Sequence, residues 1–228
     1  MVEVRKGGGI VGYNDEFAAP VVIDLESVAA PDVEGLLDPI RAPANYKDEF
    51  KIKVYQQDKL LERIATASLE PDLCEIVALG LQRADDVPLV LTRHDHDEPL
   101  LLEWFWDEVS NHRFIGYNIL SFDLPVLIRR SQLLGVKHPV VNLDRYRSPH
   151  IDLMQRLSFN GAITFRSLNF YARRFGLACI DDTVVGADIP QLVADGEWDA
   201  IRHHCACDIQ KTALLAARLG WFKAAVAA

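Results

Sequence analysis

The chain has 228 residues, 50% hydrophobic and 25% charged, which is enough to bury a sizeable core and ordinary for a soluble globular protein. A net charge of −9 argues against a protein that grips nucleic acid by a general basic surface, but not against an enzyme that meets phosphates through a local groove and bound cations. No apolar run reaches membrane-spanning length and four cysteines are too few for a disulfide scaffold, so no membrane and a reducing, cytoplasmic setting are expected.

Residues 1–18, with Gly7-Gly8-Gly9, read as a flexible lead-in, and residues 19–228 as a single domain. Val21-Val22-Ile23 proposes a buried strand over 20–26 that carries Asp24 and Glu26 at its carboxyl end. Alternation along a strand sends both acids to one face and Leu25 to the other. Two like charges side by side are costly unless a cation lies between them, so the pair either ends a solvated strand or faces a divalent metal. A polar insertion follows at about 28–70, with a helical pattern over 49–67 in which lysines alternate with acids.

Residues 75–82 and 87–93 read as a hairpin turning at Asp85-Asp86, antiparallel to the first strand. A helix over 98–111 with Pro99 in its first turn, a short strand over 113–117 and a helix over 122–134 come next. Residues 137–149 read as a loop and 150–153 as a short strand. Ser167 is an N-cap candidate for a helix over 168–175 that Gly176 ends. A polar segment over 180–196 precedes the longest helix, 198–219. The expected fold is α/β: a mixed central sheet, three antiparallel strands and then parallel ones, flanked by helices.

Three more sites bear on the acid pair. Asp123 opens a helix behind Gly116-Tyr117-Asn118, where Ser121 or Asp123 is either a simple helix cap or a further carboxylate for a metal. In His203-His204-Cys205-Ala206-Cys207-Asp208, His204 lies about 40° and His203 about 140° around the helix from Asp208. Cys205, Cys207 and a histidine are also zinc-type ligands, but neighbours on one helix point in different directions. Asp152 reads as support for the sheet end, and His94 and His96 as part of a solvated turn.

An Asp-x-Glu on the first strand, an Asp after Gly-Tyr-Asn, and His with Asp on a late helix together resemble the DEDD superfamily of 3′–5′ exonucleases, which have the ribonuclease-H-like fold. Within it, Ala42-Pro43-Ala44-Asn45-Tyr46-Lys47-Asp48, Ser68-Leu69-Glu70-Pro71-Asp72-Leu73 and Asn118-Ile119-Leu120-Ser121-Phe122-Asp123-Leu124-Pro125 resemble the predicted exonucleases related to the proofreading domain of family-B DNA polymerases, and the likeness runs over about 20–219. The resemblance implies that Asp24, Glu26, Asp123 and Asp208 hold two ions, Mg²⁺ or Mn²⁺. It also implies that a histidine activates the attacking water: His203, which has the spacing of a His-bearing branch, is favoured over His204, which stands where another branch has tyrosine.

Asn118, Phe122 and Leu25 are then candidates to touch the terminal nucleotide, with core packing the equal alternative for Phe122. The implied substrate is nucleic acid with a free 3′ end, single-stranded DNA above all, and a polymerase or other replication protein is an implied partner in trans. A ribonuclease or endonuclease of the same fold and a non-catalytic replication module are the competing readings.

Overall fold

The computed structural model describes residues 18–84, 86–177 and 183–223. Its strands are β1 (Ala18–Ala29), β2 (Cys74–Gln82), β3 (Leu89–Thr92), β4 (His112–Gly116) and β5 (Ile151–Asp152). The helices are α1 (Val33–Leu36), α2 (Glu49–Thr66), α3 (Glu98–Glu108), α4 (Asp123–Leu134), α5 (Leu153–Leu157), α6 (Leu168–Arg174), α7 (Ile189–Asp195) and α8 (Trp198–Arg218). The sheet order is β3-β2-β1-β4-β5. β1, β2 and β3 are antiparallel, while β4 runs parallel to β1 and β5 parallel to β4. This is the mixed α/β sheet expected from the sequence.

Alternation along β1 divides the core between the two faces of the sheet. Val21, Ile23 and Leu25 point into a cluster with Leu102 and Phe105 of α3 and Leu124 and Leu127 of α4. Val22 points the other way, into a cluster with Ile201, Cys205, Ile209 and Ala213 of α8. Asp24 and Glu26 have the parity of Val22 and so face α8. Gly80 on β2 lies opposite Asp24, and a Cβ there would stand 2.5 Å from Ile209 Cδ1 and 2.7 Å from Val90 Cγ2. A hydrogen at this position is what lets α8 approach the middle of the sheet.

Several details differ from expectation. The lead-in lies outside the described residues apart from Ala18, which opens β1, and so do Asp85 of the hairpin turn and Cys179. β1 is 12 residues long, which sets Asp24 and Glu26 within the strand instead of at a solvated end. Two short helices, α5 and α7, occupy stretches without helical periodicity. The borders of α7 were nonetheless written in Pro190 in its first turn and Gly196 at φ 74° after its last residue. Among the described residues no helix is long and apolar enough to cross a membrane.

Candidate active site

β2 pairs with β1 through Asp24 and Glu26 and on to Ala29. On the other side, β4 pairs only as far as Val22 with Ile115 and ends at Gly116. The acids therefore border a notch in which the sheet has lost one neighbour. Asp24 is half-buried and Glu26 is buried.

The notch opens because the chain turns sharply after β4. A Cβ on Gly116 would lie 2.0 Å from Ile119 Cγ2 and 3.1 Å from the carbonyl oxygen of Ile23. Asn118 adopts φ 69°, a region that asparagine tolerates, and its carbonyl accepts hydrogen bonds from the N–H groups of Ser121 and Phe122. Asp152 braces this turn: its carboxylate accepts the N–H groups of Asn118, Leu120 and Gln155 at 3.1 Å each. That confirms its support of the sheet end. Neither Ser121 nor Asp123 caps α4; Phe122 is the N-cap residue and provides no side-chain cap. The Asp123 carboxyl is buried and takes the backbone N–H groups of Asp123 itself and of Leu25. The Leu25 side chain lies in the core between β1, α3 and α4, so its backbone N–H is what it offers here.

Helix α8 closes the notch. The buried imidazole of His204 has Nε2 3.5 Å from Glu26 Oε1. One residue on, the Cys205 Sγ approaches the Asp24 carbonyl at 3.8 Å. Ligand atoms of Asp24, Glu26 and Cys205 all lie within 4.8 Å of one another. His203, in contrast, is exposed, with Nε2 3.4 Å from Cys207 Sγ. The two cysteines thus face different partners, and the zinc-cluster alternative for Cys205 with Cys207 falls away. Lys211, buried one turn beyond Asp208, donates to its Oδ1 at 2.8 Å.

Electrostatics tie the four acids together. Burial raises the pKa of Asp24 well above the usual carboxylate range, and the charges of Glu26, Asp123 and Asp208 each raise it further. Burial, aided by the charge of Asp152, pushes Asp123 up to about 7 against the two backbone hydrogen bonds that lower it. Burial, with the charges of Asp24, Glu26 and Asp208 in support, pushes the Cys205 thiol up. Negative charge gathered where water is scarce is the setting a hard divalent cation relieves, and the donors are chiefly carboxylate oxygens.

Residues 68–228 match the family model of predicted 3′–5′ exonucleases related to the exonuclease domain of PolB. The chain belongs to this family. A curated relative, DNA polymerase 2 of Aeropyrum pernix, is 25% identical over 173 residues, which are 75% of this chain and 20% of that polymerase. Among solved structures, the family B DNA polymerase of Pyrobaculum calidifontis is similar in fold, with a TM-score of 0.56 and 16% identity over 92% of this chain and 25% of that one. The chain thus spans about a quarter or less of the polymerases it matches, and the fold is the ribonuclease-H-like one expected for family members.

Sequence reasoning overlooked two side chains at this site. Lys211 falls on the apolar stripe of α8, three residues from Asp208, and a lysine on a stripe otherwise buried was the available signal. Cys205 was weighed only as a partner of Cys207. Its contact with Asp24 joins positions 181 apart and leaves no local trace.

Proposed function

We propose that the protein is a metal-dependent 3′–5′ exonuclease that hydrolyses the terminal phosphodiester bond of single-stranded DNA, with residues 19–228 forming one domain. The observation carrying this reading is the convergence of acids on one notch: ligand atoms of Asp24, Glu26 and Cys205 lie within 4.8 Å of one another, and burial together with the charges of Glu26, Asp123 and Asp208 raises the pKa of Asp24. The donor set fits Mg²⁺ or Mn²⁺, and Asp24, Glu26, Asp123 and Asp208 would hold two such ions. When bound, the ions supply a more acidic water and charge stabilisation at the phosphate.

The chain's own groups do the rest. Hydrolysis joins a water oxygen to the terminal phosphorus and breaks the bond to the preceding 3′ oxygen. His204, beside Glu26, takes the water proton, in preference to the exposed His203. Asp152 holds the turn that carries Asn118, and Asn118 and Phe122 meet the terminal nucleotide at the notch. The family's link to polymerases makes a polymerase the partner of choice.

The test uses a 5′-labelled single-stranded oligonucleotide with Mn²⁺. Mononucleotides should leave from the 3′ end, and release should stop with EDTA and fall at least about 100-fold in Asp24→Ala. Undiminished activity in Asp24→Ala would rule the reading out. Cutting of a 3′-blocked strand would instead favour an endonuclease.

A further inference from the structure

The chain carries 33 acids and a net charge of −9, yet residues 153–177 contain neither aspartate nor glutamate. The same stretch holds Arg156, Arg166, Arg173 and Arg174. The last three are exposed and make no ion pair among the described residues. Between the arginines stand aromatic rings turned outward: Phe159 is 70% exposed, Phe165 44% and Phe170 38%. Phe159 sits at φ 53°, a left-handed conformation that is costly for a bulky residue and is used here to hold a ring away from the core. The Arg166 guanidinium lies 5.3 Å from the centre of the Phe170 ring.

This stretch is tied at three points to elements that carry the carboxylate notch. It begins directly after Asp152, which braces the Asn118 turn. The Tyr117 hydroxyl, at the end of β4, donates to the carbonyl of Arg166. Helix α6 packs on α8, the helix that carries His204 and Asp208.

We propose that residues 156–174 form the track for the incoming strand, with Phe159, Phe165 and Phe170 stacking on bases while Arg166, Arg173 and Arg174 hold phosphates. The proposal rests on the exonuclease reading and adds how the substrate is recognised. The absence of acids over this stretch removes the repulsion that the rest of an acidic surface exerts on phosphates. Exposed rings take any unpaired base by its face, whereas a duplex keeps those faces stacked inside, so the occupant is a single strand. Stacking engages every base by its face, so the track accepts strands with little regard to sequence.

The experiment measures anisotropy of 5′-fluorescein oligothymidylates of about three and about twelve nucleotides, in EDTA so that the strand stays intact. The full chain is compared with the double variant Arg173→Glu/Arg174→Glu and with Phe159→Ala/Phe165→Ala, each first shown to melt like the parent. The arginine variant should bind the longer strand at least tenfold more weakly. Its slope of log affinity against log salt, between 50 and 200 mM, should be shallower by about 1.4, the value for two lost phosphate contacts on a single strand. The phenylalanine variant should lose about tenfold with its slope unchanged. Both deficits should be smaller on the short strand. Affinity for the longer strand within twofold of the parent in both variants overturns the track, as does an equal loss on both lengths. Because binding is read without metal, failure of hydrolysis in the Asp24 test leaves this outcome readable and separate.

Discussion

One step along an α-helix turns a side chain by about 100°, and in α8 that step separates an imidazole against Glu26 from one in solvent beside Cys207. Spacing to Asp208 had favoured His203, because counting residues back from an acid does not say which face of the helix the sheet covers. Burial separates the two: Ile201, His204, Cys205 and Thr212 are covered while His203 is exposed, which is why His204 is the proposed base. With His204 as the group that takes the water proton, His204→Ala should lower turnover by about 100-fold or more and His203→Ala by no more than about threefold. Single-turnover measurements with the labelled strand would check this, and equal losses in the two variants would withdraw the assignment. That Glu26, Asp123 and Asp208 act on Asp24 was legible because each acid stands in a distinctive local setting. Lys211 and Cys205 were not, since their importance comes only from what faces them across the fold.

At the scale of elements, the site depends on how closely α8 lies against the sheet. Gly80 sets that distance, since any larger residue opposite Asp24 meets Ile209 and Val90. Gly80→Ala should destabilise the protein by about 1–3 kcal/mol through overpacking and lift α8 from β1. Urea unfolding should register the loss, and Mn²⁺ titration by calorimetry should show weaker binding. Unchanged stability would mean that the helix yields without strain. The longer elements were legible because their periodicity is long enough to read: α2, α3, α4 and α8 fall within a few residues of their predicted limits. The short strand expected over 150–153 is β5, held by pairing with β4, whereas the short α5, held by the Asp152 cap, carries too little pattern of its own.

At the scale of the molecule, acid lability concentrates on a group away from the carboxylate notch. His150 is buried with its ring stacked on Phe114 at 4.6 Å, and its Nδ1 accepts the Phe114 N–H at 3.1 Å. Burial, with the positive charge of Arg113 in support, lowers its pKa to about 4 from 6.5. Between those values the unfolded chain binds a proton that the folded one refuses. The stability present above about pH 6.5 is therefore lost as pH falls towards 4, by about 2 kcal/mol from pH 7 to pH 5. In His150→Asn, which keeps an acceptor for the Phe114 N–H, the urea midpoint should change less between these pH values. An equal change in both proteins would assign the lability elsewhere.

The central place of β1 has a consequence for the order in which the protein is made. Both sheet neighbours of this strand arrive later in the chain, and the helix that closes over its acids lies 181 residues beyond Asp24. On the ribosome, β1 emerges before either neighbour and first meets β2, whereas α8 follows only after β2, β4 and α4. Loop closure over such separations is slow, so the acids from β1, α4 and α8 meet only at a late step of folding. A nascent chain is thereby spared the mutual repulsion of its acids until the surrounding core has formed to hold them.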